Sequence, residues 1–91
     1  MKLIPSKIFL RDAKPFLKSN PKFEQEIKQT LKLMEEDIFN PRLKTHKLKG
    51  KLKNSMSCSV AYDLRIVFEF INHDGETAIL LQTIGTHDEV Y

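Results

Sequence analysis

The chain has 91 residues, of which 41% are hydrophobic and 30% are charged, and its formal net charge is +3. These proportions are typical of a globular protein, and the length predicts one domain spanning 1–91. No stretch approaches the roughly 20 apolar residues that a membrane-spanning helix needs, and the N-terminus lacks the pattern of a secretory signal. The single cysteine, Cys58, fits a reducing compartment. We therefore expect a cytoplasmic protein that has no membrane partner.

The first half of the chain has the apolar spacing of two amphipathic helices. Ser6 is a suitable N-cap for the first helix, and Pro15 is expected to kink or shorten it. The apolar stripe of this helix consists of Phe9, Ala13, Phe16 and Leu17. Asn20 and Pro21 are a good N-cap and first residue for the second helix, which should end at Asn40. Its stripe consists of Phe23, Ile27, Leu31, Met34 and Ile38.

The second half has the alternation of β-strands. Residues 56–62 and 64–70 alternate with period 2, and the first of these places Tyr62 on the apolar phase with Cys58. The stretch "NHDG" at 72–75 is a turn signal, and 77–84 reads as an interior strand. Met1 to Ile4 are a candidate for a short further strand. We therefore predict an α+β fold: an N-terminal helical hairpin packed on one face of a small antiparallel sheet, with the other face open.

A cluster of basic residues precedes the predicted sheet. Residues 42–53 hold six of the 15 basic side chains and no acidic one, namely Arg42, Lys44, Lys47, Lys49, Lys51 and Lys53. Such a segment attracts a polyanion, or it is simply a solvated loop.

Several groups that transfer protons or bind phosphate are expected near the open face. Asp63 and Arg65 share one side of their strand, opposite the apolar residues that belong against the helices. The basic segment enters the sheet at one end, and the tail leaves it after residue 84. His46, Asp63, Arg65 and His87 are therefore expected to converge on one concave surface.

Three stretches together resemble a known family. "THKLKGKLK", "YDLRIVFEF" and "IGTHDEVY", in this order and spacing, resemble the RelE/ParE superfamily of bacterial type II toxins. The resemblance is closest to the YafQ-like branch of ribosome-dependent messenger-RNA endonucleases, and it covers essentially the whole chain. It implies the RelE-like microbial RNase fold.

The resemblance also implies roles for individual residues. His46, Asp63 and His87 match catalytic positions of the YafQ-like enzymes. Arg65 matches a phosphate-binding arginine, and Tyr91 matches a terminal aromatic that contacts substrate. The basic residues Lys47, Lys49, Lys51 and Lys53 would hold RNA phosphates.

Two positions depart from the family patterns. Ser59 stands where the YafQ-like site can have a further histidine, and Met56 and Cys58 stand where RelE has catalytic lysines. A mechanism that uses this chain's residues would therefore rely on histidines and a carboxylate. It would need no metal or small-molecule cofactor, and no ligand pair has the short spacing of a zinc site.

The resulting hypothesis is a toxin that enters the ribosomal A site and cleaves messenger RNA through attack by the 2′-hydroxyl. Its expected partners are a cognate antitoxin protein, the 70S ribosome and messenger RNA. The alternatives are a non-enzymatic, ParE-like inhibitor of DNA gyrase and a decayed toxin that only binds antitoxin or nucleic acid.

Overall fold

Two helices lie on one face of a five-stranded sheet in the computed structural model, which describes residues 1–50 and 54–90. The elements in chain order are β1 (Leu3–Pro5), α1 (Lys7–Ser19), α2 (Glu24–Glu36), β2 (His46–Lys47), β3 (Met56–Ala61), β4 (Leu64–His73), β5 (Glu76–Thr86) and α3 (His87–Val90). α1 packs against β5, and α2 packs against β3. The predicted α+β fold, with its helical hairpin on the sheet, is confirmed. Within the described ranges, no helix is long and apolar enough to cross a bilayer.

The sheet is mixed, with the strand order β1-β5-β4-β3-β2. Its antiparallel part runs from β5 to β2, whereas β1 pairs parallel with β5, from Leu3 opposite Ile79 to Pro5 opposite Leu81. The two parallel strands are joined by most of the chain, including the helical hairpin, which satisfies the need of parallel strands for a long connection. The predicted third strand is β5, and it is interior because it has a neighbour on each side.

The two helices begin and end differently from each other. Ser6 caps α1 as predicted: its Oγ accepts a hydrogen bond from the Phe9 amide at 3.0 Å and donates one to the Gln82 carbonyl at 3.1 Å. Pro15 does not shorten α1, which continues to Ser19. Asn20 does not cap α2; instead its Nδ2 donates to the Phe16 carbonyl at 3.0 Å and closes α1.

The hydrophobic core lies between the helices and the sheet. It contains the predicted stripes of both helices, with Met34 and Phe68 fully buried. The other buried members are Phe9, Ile27, Ile38, Leu43, Cys58, Leu64, Ile66, Ile79, Leu81 and Ile84. Alternation along β4 therefore turns Leu64, Ile66 and Phe68 toward the helices and Arg65 away from them.

Two expectations about the sheet are corrected. Tyr62 does not lie on the apolar phase of a strand; it stands in the turn between β3 and β4 and is 98% exposed. The face away from the helices is not open throughout, because the cross-strand partners Ser57 and Val67 are buried in its middle. The exposed candidate residues therefore lie around a closed centre.

We predict that Met34→Ala lowers the free energy of unfolding by about 2–5 kcal/mol, because it empties a fully buried position in contact with Cys58. Leu10→Ala is the control, since Leu10 is 53% exposed on α1 and its loss should cost less than about 0.5 kcal/mol. Urea denaturation followed by circular dichroism measures both values. Equal stability of the two variants would contradict this assignment of the core.

We also predict that Cys58 is chemically inert in the folded protein. Burial raises the pKa of its thiol to about 12, although a hydrogen bond from Ile66 and the charge of Arg65 act in the opposite direction. A neutral, buried thiol is a poor nucleophile. Labelling with Ellman's reagent at pH 8 should therefore be slow without denaturant and fast in guanidinium chloride. Equally fast labelling in both conditions would be inconsistent with the packing described above.

Candidate active site

His46 lies on β2 at the margin of the sheet, with its ring exposed to solvent. Its Nδ1 is 2.9 Å from the carbonyl oxygen of Lys44, and because a carbonyl can only accept, Nδ1 carries the proton. The preceding loop supports this contact: Lys44 has the left-handed φ of 51°, and Thr45 Oγ1 donates to the Ile38 carbonyl. In the neutral ring, Nε2 is then the unprotonated nitrogen and is able to accept a proton.

Asp63 and His87 meet at the end of the sheet where β4 begins and β5 finishes. Asp63 occupies the tight turn before β4, and His87 is the first residue of the one-turn helix α3. The Asp63 carboxylate accepts a hydrogen bond from the His87 backbone amide at 3.4 Å. The imidazole itself is 57% exposed, and its Nδ1 lies 3.7 Å from the Asp88 carboxylate. Asp63 therefore fixes the point from which the His87 side chain projects.

Arg65 stands beside this pair on the face away from the helices, opposite Ser59 on β3 and Gly85 on β5. Its Nη1 donates to the carbonyls of Ala61 at 2.8 Å and Leu64 at 3.2 Å. Both bonds leave from one nitrogen, and Nε and Nη2 have no partner in the described part of the chain, so these donors remain for a ligand. Within the described residues Arg65 forms no ion pair with Glu69, which instead accepts from Gln82.

The strand register shows how far these groups are from one another. His46 is opposite Ser57, and therefore two strands and two residue positions from Arg65, about 10 Å across and about 7 Å along the sheet. From His46 to His87 the distance is about 14 Å across the strands and about 13 Å along them. The structure thus brings Asp63, His87 and Arg65 together and places His46 at the other margin of the same face.

The structure describes some of the predicted basic residues. Lys47 and Lys49 are exposed, and Lys47 follows His46 on β2. Lys51, Lys53 and Tyr91 lie outside the described residues. Because side chains alternate along a strand, Lys47 and His46 leave β2 on opposite sides of the sheet.

Ser59 bears only a local hydrogen bond, which its Oγ donates to the Ala61 carbonyl at 3.2 Å. Ser59 pairs with Arg65 on the neighbouring strand, so a histidine at this position would lie between Arg65 and His46. The serine leaves that space without a group for proton transfer near neutral pH.

Sequence reasoning missed two contributors to this region. The carbonyl of Lys44 sets the His46 tautomer, and the only available signal was the irregular backbone expected near Pro41. Tyr62 stands next to Asp63 and reads as a strand residue by alternation alone. Among the residues that the structure describes, no three His, Cys, Asp or Glu side chains are grouped so that they would hold a metal ion.

Comparison with known proteins is consistent with this architecture. YafQ from Escherichia coli strain BL21(DE3) superposes with a TM-score of 0.81 at 16% identity, covering 99% of this chain and 97% of that one. A YoeB/ParE toxin from Agrobacterium tumefaciens gives 0.76 at 17% identity, with 96% and 99% covered. A chain of the E. coli DinJ–YafQ complex gives 0.78 at 17% identity, with 99% and 97% covered. No curated protein sequence matches.

At these identities the solved structures show the fold alone. The family is shown by its own sequence model, described as the bacterial toxin of type II toxin-antitoxin system, YafQ, which matches residues 1–91. The resemblance inferred from "THKLKGKLK", "YDLRIVFEF" and "IGTHDEVY" is thereby confirmed. The chain belongs to the YafQ family of bacterial type II toxin–antitoxin toxins.

Proposed function

We propose that this toxin is an endoribonuclease that cleaves messenger RNA in the ribosomal A site. The observation that carries the proposal is the contact between Asp63 and His87, which lies beside the guanidinium of Arg65. This guanidinium uses Nη1 for its bonds to the protein. A proton-transfer group and a phosphate-binding group thereby occupy one end of the sheet. The ribosomal target places the proposed action in the cytoplasm.

Arg65 is the proposed phosphate-binding residue. Its bonds to Ala61 and Leu64 hold the guanidinium in place before substrate arrives. The remaining donors form a planar fork that suits two phosphate oxygens. In the transition state the non-bridging oxygens of the phosphoryl group carry additional negative charge, and a fixed cation stabilises that charge more than it stabilises the ground state.

The proposed chemistry is a transfer within the RNA itself. The 2′-oxygen bonds to the adjacent phosphorus while the bond from phosphorus to the 5′-oxygen breaks, giving a 2′,3′-cyclic phosphate and a 5′-hydroxyl. One base must take the 2′-hydroxyl proton, and one acid must give a proton to the 5′-oxygen. The attacking and leaving oxygens lie on opposite sides of the phosphorus, so the base and the acid are needed on opposite sides as well.

We assign these two roles to the histidines on either side of Arg65. His46 is the base, because its bond to Lys44 leaves Nε2 as the proton acceptor. His87 is the acid, and Asp63 positions it through the backbone. Both rings are exposed to solvent and therefore accessible to RNA.

Two kinds of partner follow from this proposal. Lys47 and Lys49, with Lys51 and Lys53, would bind RNA phosphates through contacts that weaken as salt rises. A cognate antitoxin would neutralise the toxin by covering this basic surface with a helix or a strand. Membership of a toxin–antitoxin family and the similarity to a chain of the DinJ–YafQ complex support the antitoxin partner.

We predict that His87→Ala lowers the rate of ribosome-dependent cleavage by about 10²–10⁴-fold, the usual contribution of a general acid or base. The matched control is His73→Ala. His73 also lies beside a carboxylate, with 3.5 Å between its Nε2 and Asp74 Oδ2, but it is the last residue of β4, at the opposite end of that strand from Asp63. Primer extension on a defined messenger RNA in a reconstituted translation reaction, with and without ribosomes, measures the cleavage.

Intact messenger RNA in the presence of wild-type protein, under conditions in which its expression arrests growth, would refute the endonuclease proposal. Inhibition of DNA gyrase in a supercoiling assay would then identify the ParE-like alternative. Equal cleavage by the His87→Ala and wild-type proteins would remove His87 from the mechanism but leave the activity.

We further predict that Asp63→Asn retains cleavage within about tenfold of wild type, because an amide oxygen still accepts the His87 backbone hydrogen bond. Asp63→Ala removes this acceptor and should cost at least as much as one misplaced catalytic group, about 10²-fold. Single-turnover cleavage rates on ribosome-bound messenger RNA separate the two variants. If Asp63→Asn is as inactive as Asp63→Ala, the carboxylate itself transfers a proton and the assignment of His46 as base is wrong.

A further inference from the structure

The turn between β3 and β4 presents an aromatic ring to solvent immediately beside the candidate active site. Tyr62 is 98% exposed, whereas Asp63, its neighbour in the turn, contacts the amide of His87. The turn is held in place by Arg65, which donates to the carbonyl of Ala61 just before it. A single exposed aromatic residue is not unusual in itself. This turn is held by a hydrogen bond and lies next to groups that would act on RNA, so the ring of Tyr62 is suited to stacking on an RNA base.

Behind this turn lies a cavity of about 390 Å³ between α1 and the sheet. Its walls are mostly apolar and include Phe16 and Phe23, whose rings are stacked 6.0 Å apart, together with Ala61 and Leu64. Its size falls within the range of sites that hold small ligands. Tyr62 and Asp63 form the rim on the side of the active site.

The chemistry of the lining favours a nucleobase over a phosphate. None of the described residues that line the cavity is basic, and the carboxylate of Asp63 would repel an anion. Asn20 contributes an amide. One Nδ2 hydrogen donates to the Phe16 carbonyl, and the amide oxygen and the second Nδ2 hydrogen have no partner among the described residues. Apolar and aromatic walls with one amide suit a flat ring that carries hydrogen-bonding groups on its edge.

A cation at the outer edge of the cavity also suits the negative charge of an RNA strand. Lys22 Nζ lies 5.2 Å from the centre of the Phe23 ring. A base placed between Tyr62 and the phenylalanines would leave its own phosphate on the solvent side, within reach of this cation. The cavity lies on the helix side of the sheet, whereas Arg65 projects from the other face, and the two regions meet at Asp63 at the end of the sheet. The base concerned therefore belongs to a nucleotide close to the cleaved one, on an RNA strand that passes around this end of the sheet.

We propose that Tyr62 and the cavity behind it bind an unpaired RNA base adjacent to the scissile phosphate. This inference rests on the proposed function and gives it a contact by which the toxin distinguishes or orients its substrate. Stacking on an aromatic side chain tolerates every base, so Tyr62 supplies affinity and orientation. Selectivity among bases then falls to the Asn20 amide.

The test is fluorescence anisotropy with a short single-stranded RNA whose 2′-hydroxyls are methylated, so that binding is measured without cleavage. Tyr62→Ala should raise Kd by about five- to thirty-fold, which corresponds to the loss of about 1–2 kcal/mol of base stacking. Tyr62→Phe keeps the ring and should remain within about twofold of wild type. The slope of log Kd against log salt should not change, since Tyr62 carries no charge.

The matched control is Phe39→Ala. Phe39 is another exposed aromatic, at 65%, but it contacts Phe70, six positions along β4 from Leu64 and therefore about 20 Å from the cavity. Its removal should leave RNA binding unchanged. Thermal denaturation of each variant checks that the turn substitutions leave the fold intact.

The outcomes separate this inference from the proposed function. If Tyr62→Ala binds RNA as wild type does, or if wild type does not bind, the base site is wrong, whether or not the protein cleaves messenger RNA on ribosomes. A reduced salt slope for Tyr62→Ala would also overturn it, because that result indicates a phosphate contact. If Tyr62→Ala weakens binding as expected and wild type cuts no RNA, the base site stands and the nuclease proposal falls.

Discussion

The long antiparallel pairing of β4 with β5 is the constraint on which both the core and the candidate active site depend. Its register, from Leu64 opposite Thr86 to His73 opposite Glu76, determines which residues of each strand face the helices. A slip by one residue would turn the apolar side chains toward solvent, and the stabilisation from burying them in the core would be lost. The same register brings the turn before β4 to the end of β5, which is why Asp63 and His87 meet.

A second feature of this pairing joins the two faces of the molecule. β5 has one extra residue at Gln82, because Val67 pairs with Thr83 and Phe68 pairs with Leu81. At this bulge the Gln82 carbonyl accepts from Ser6 at the start of α1, while its side chain bonds to Ser55 and Glu69. The bulged residue Gln82 therefore contacts the start of α1, the adjacent strand β4 and the segment that leads into β3. Bulges of this kind are conserved design features of sheets rather than defects.

The sequence predicted what depends on local pattern. Ser6 as a cap, the two apolar stripes and the alternation in β4 are all readable because each follows from neighbours within one or two turns of the chain. Pairings between distant segments were not readable: the parallel partner of β1 and the one-turn helix at His87 depend on contacts across more than 20 residues. Tyr62 was misread because alternation alone does not reveal where a strand gives way to a turn.

The same distinction between local patterns and contacts of distant segments applies to the candidate site. Strand alternation predicted that His46, Asp63, Arg65 and His87 converge, and the resemblance supplied their roles, but only the fold shows which of them are close. Asp63 and His87 are 24 positions apart and become neighbours through one register. The separation of His46 from them, with Ser59 in between, follows from the position of β2 at the edge of the sheet, where His46 pairs with Ser57 and Lys47 with Met56. No local pattern encodes that position.

The parallel pairing of β1 with β5 has a consequence for the time at which a newly made chain acquires its shape. Residues 3–5 have no strand partner until residues 79–81 have been synthesised, and the contact of Asp63 with His87 comes later still. Contacts between such distant segments form late in folding. A growing chain therefore lacks both the β1–β5 pairing and the contact between Asp63 and His87 until β5 and His87 have been synthesised.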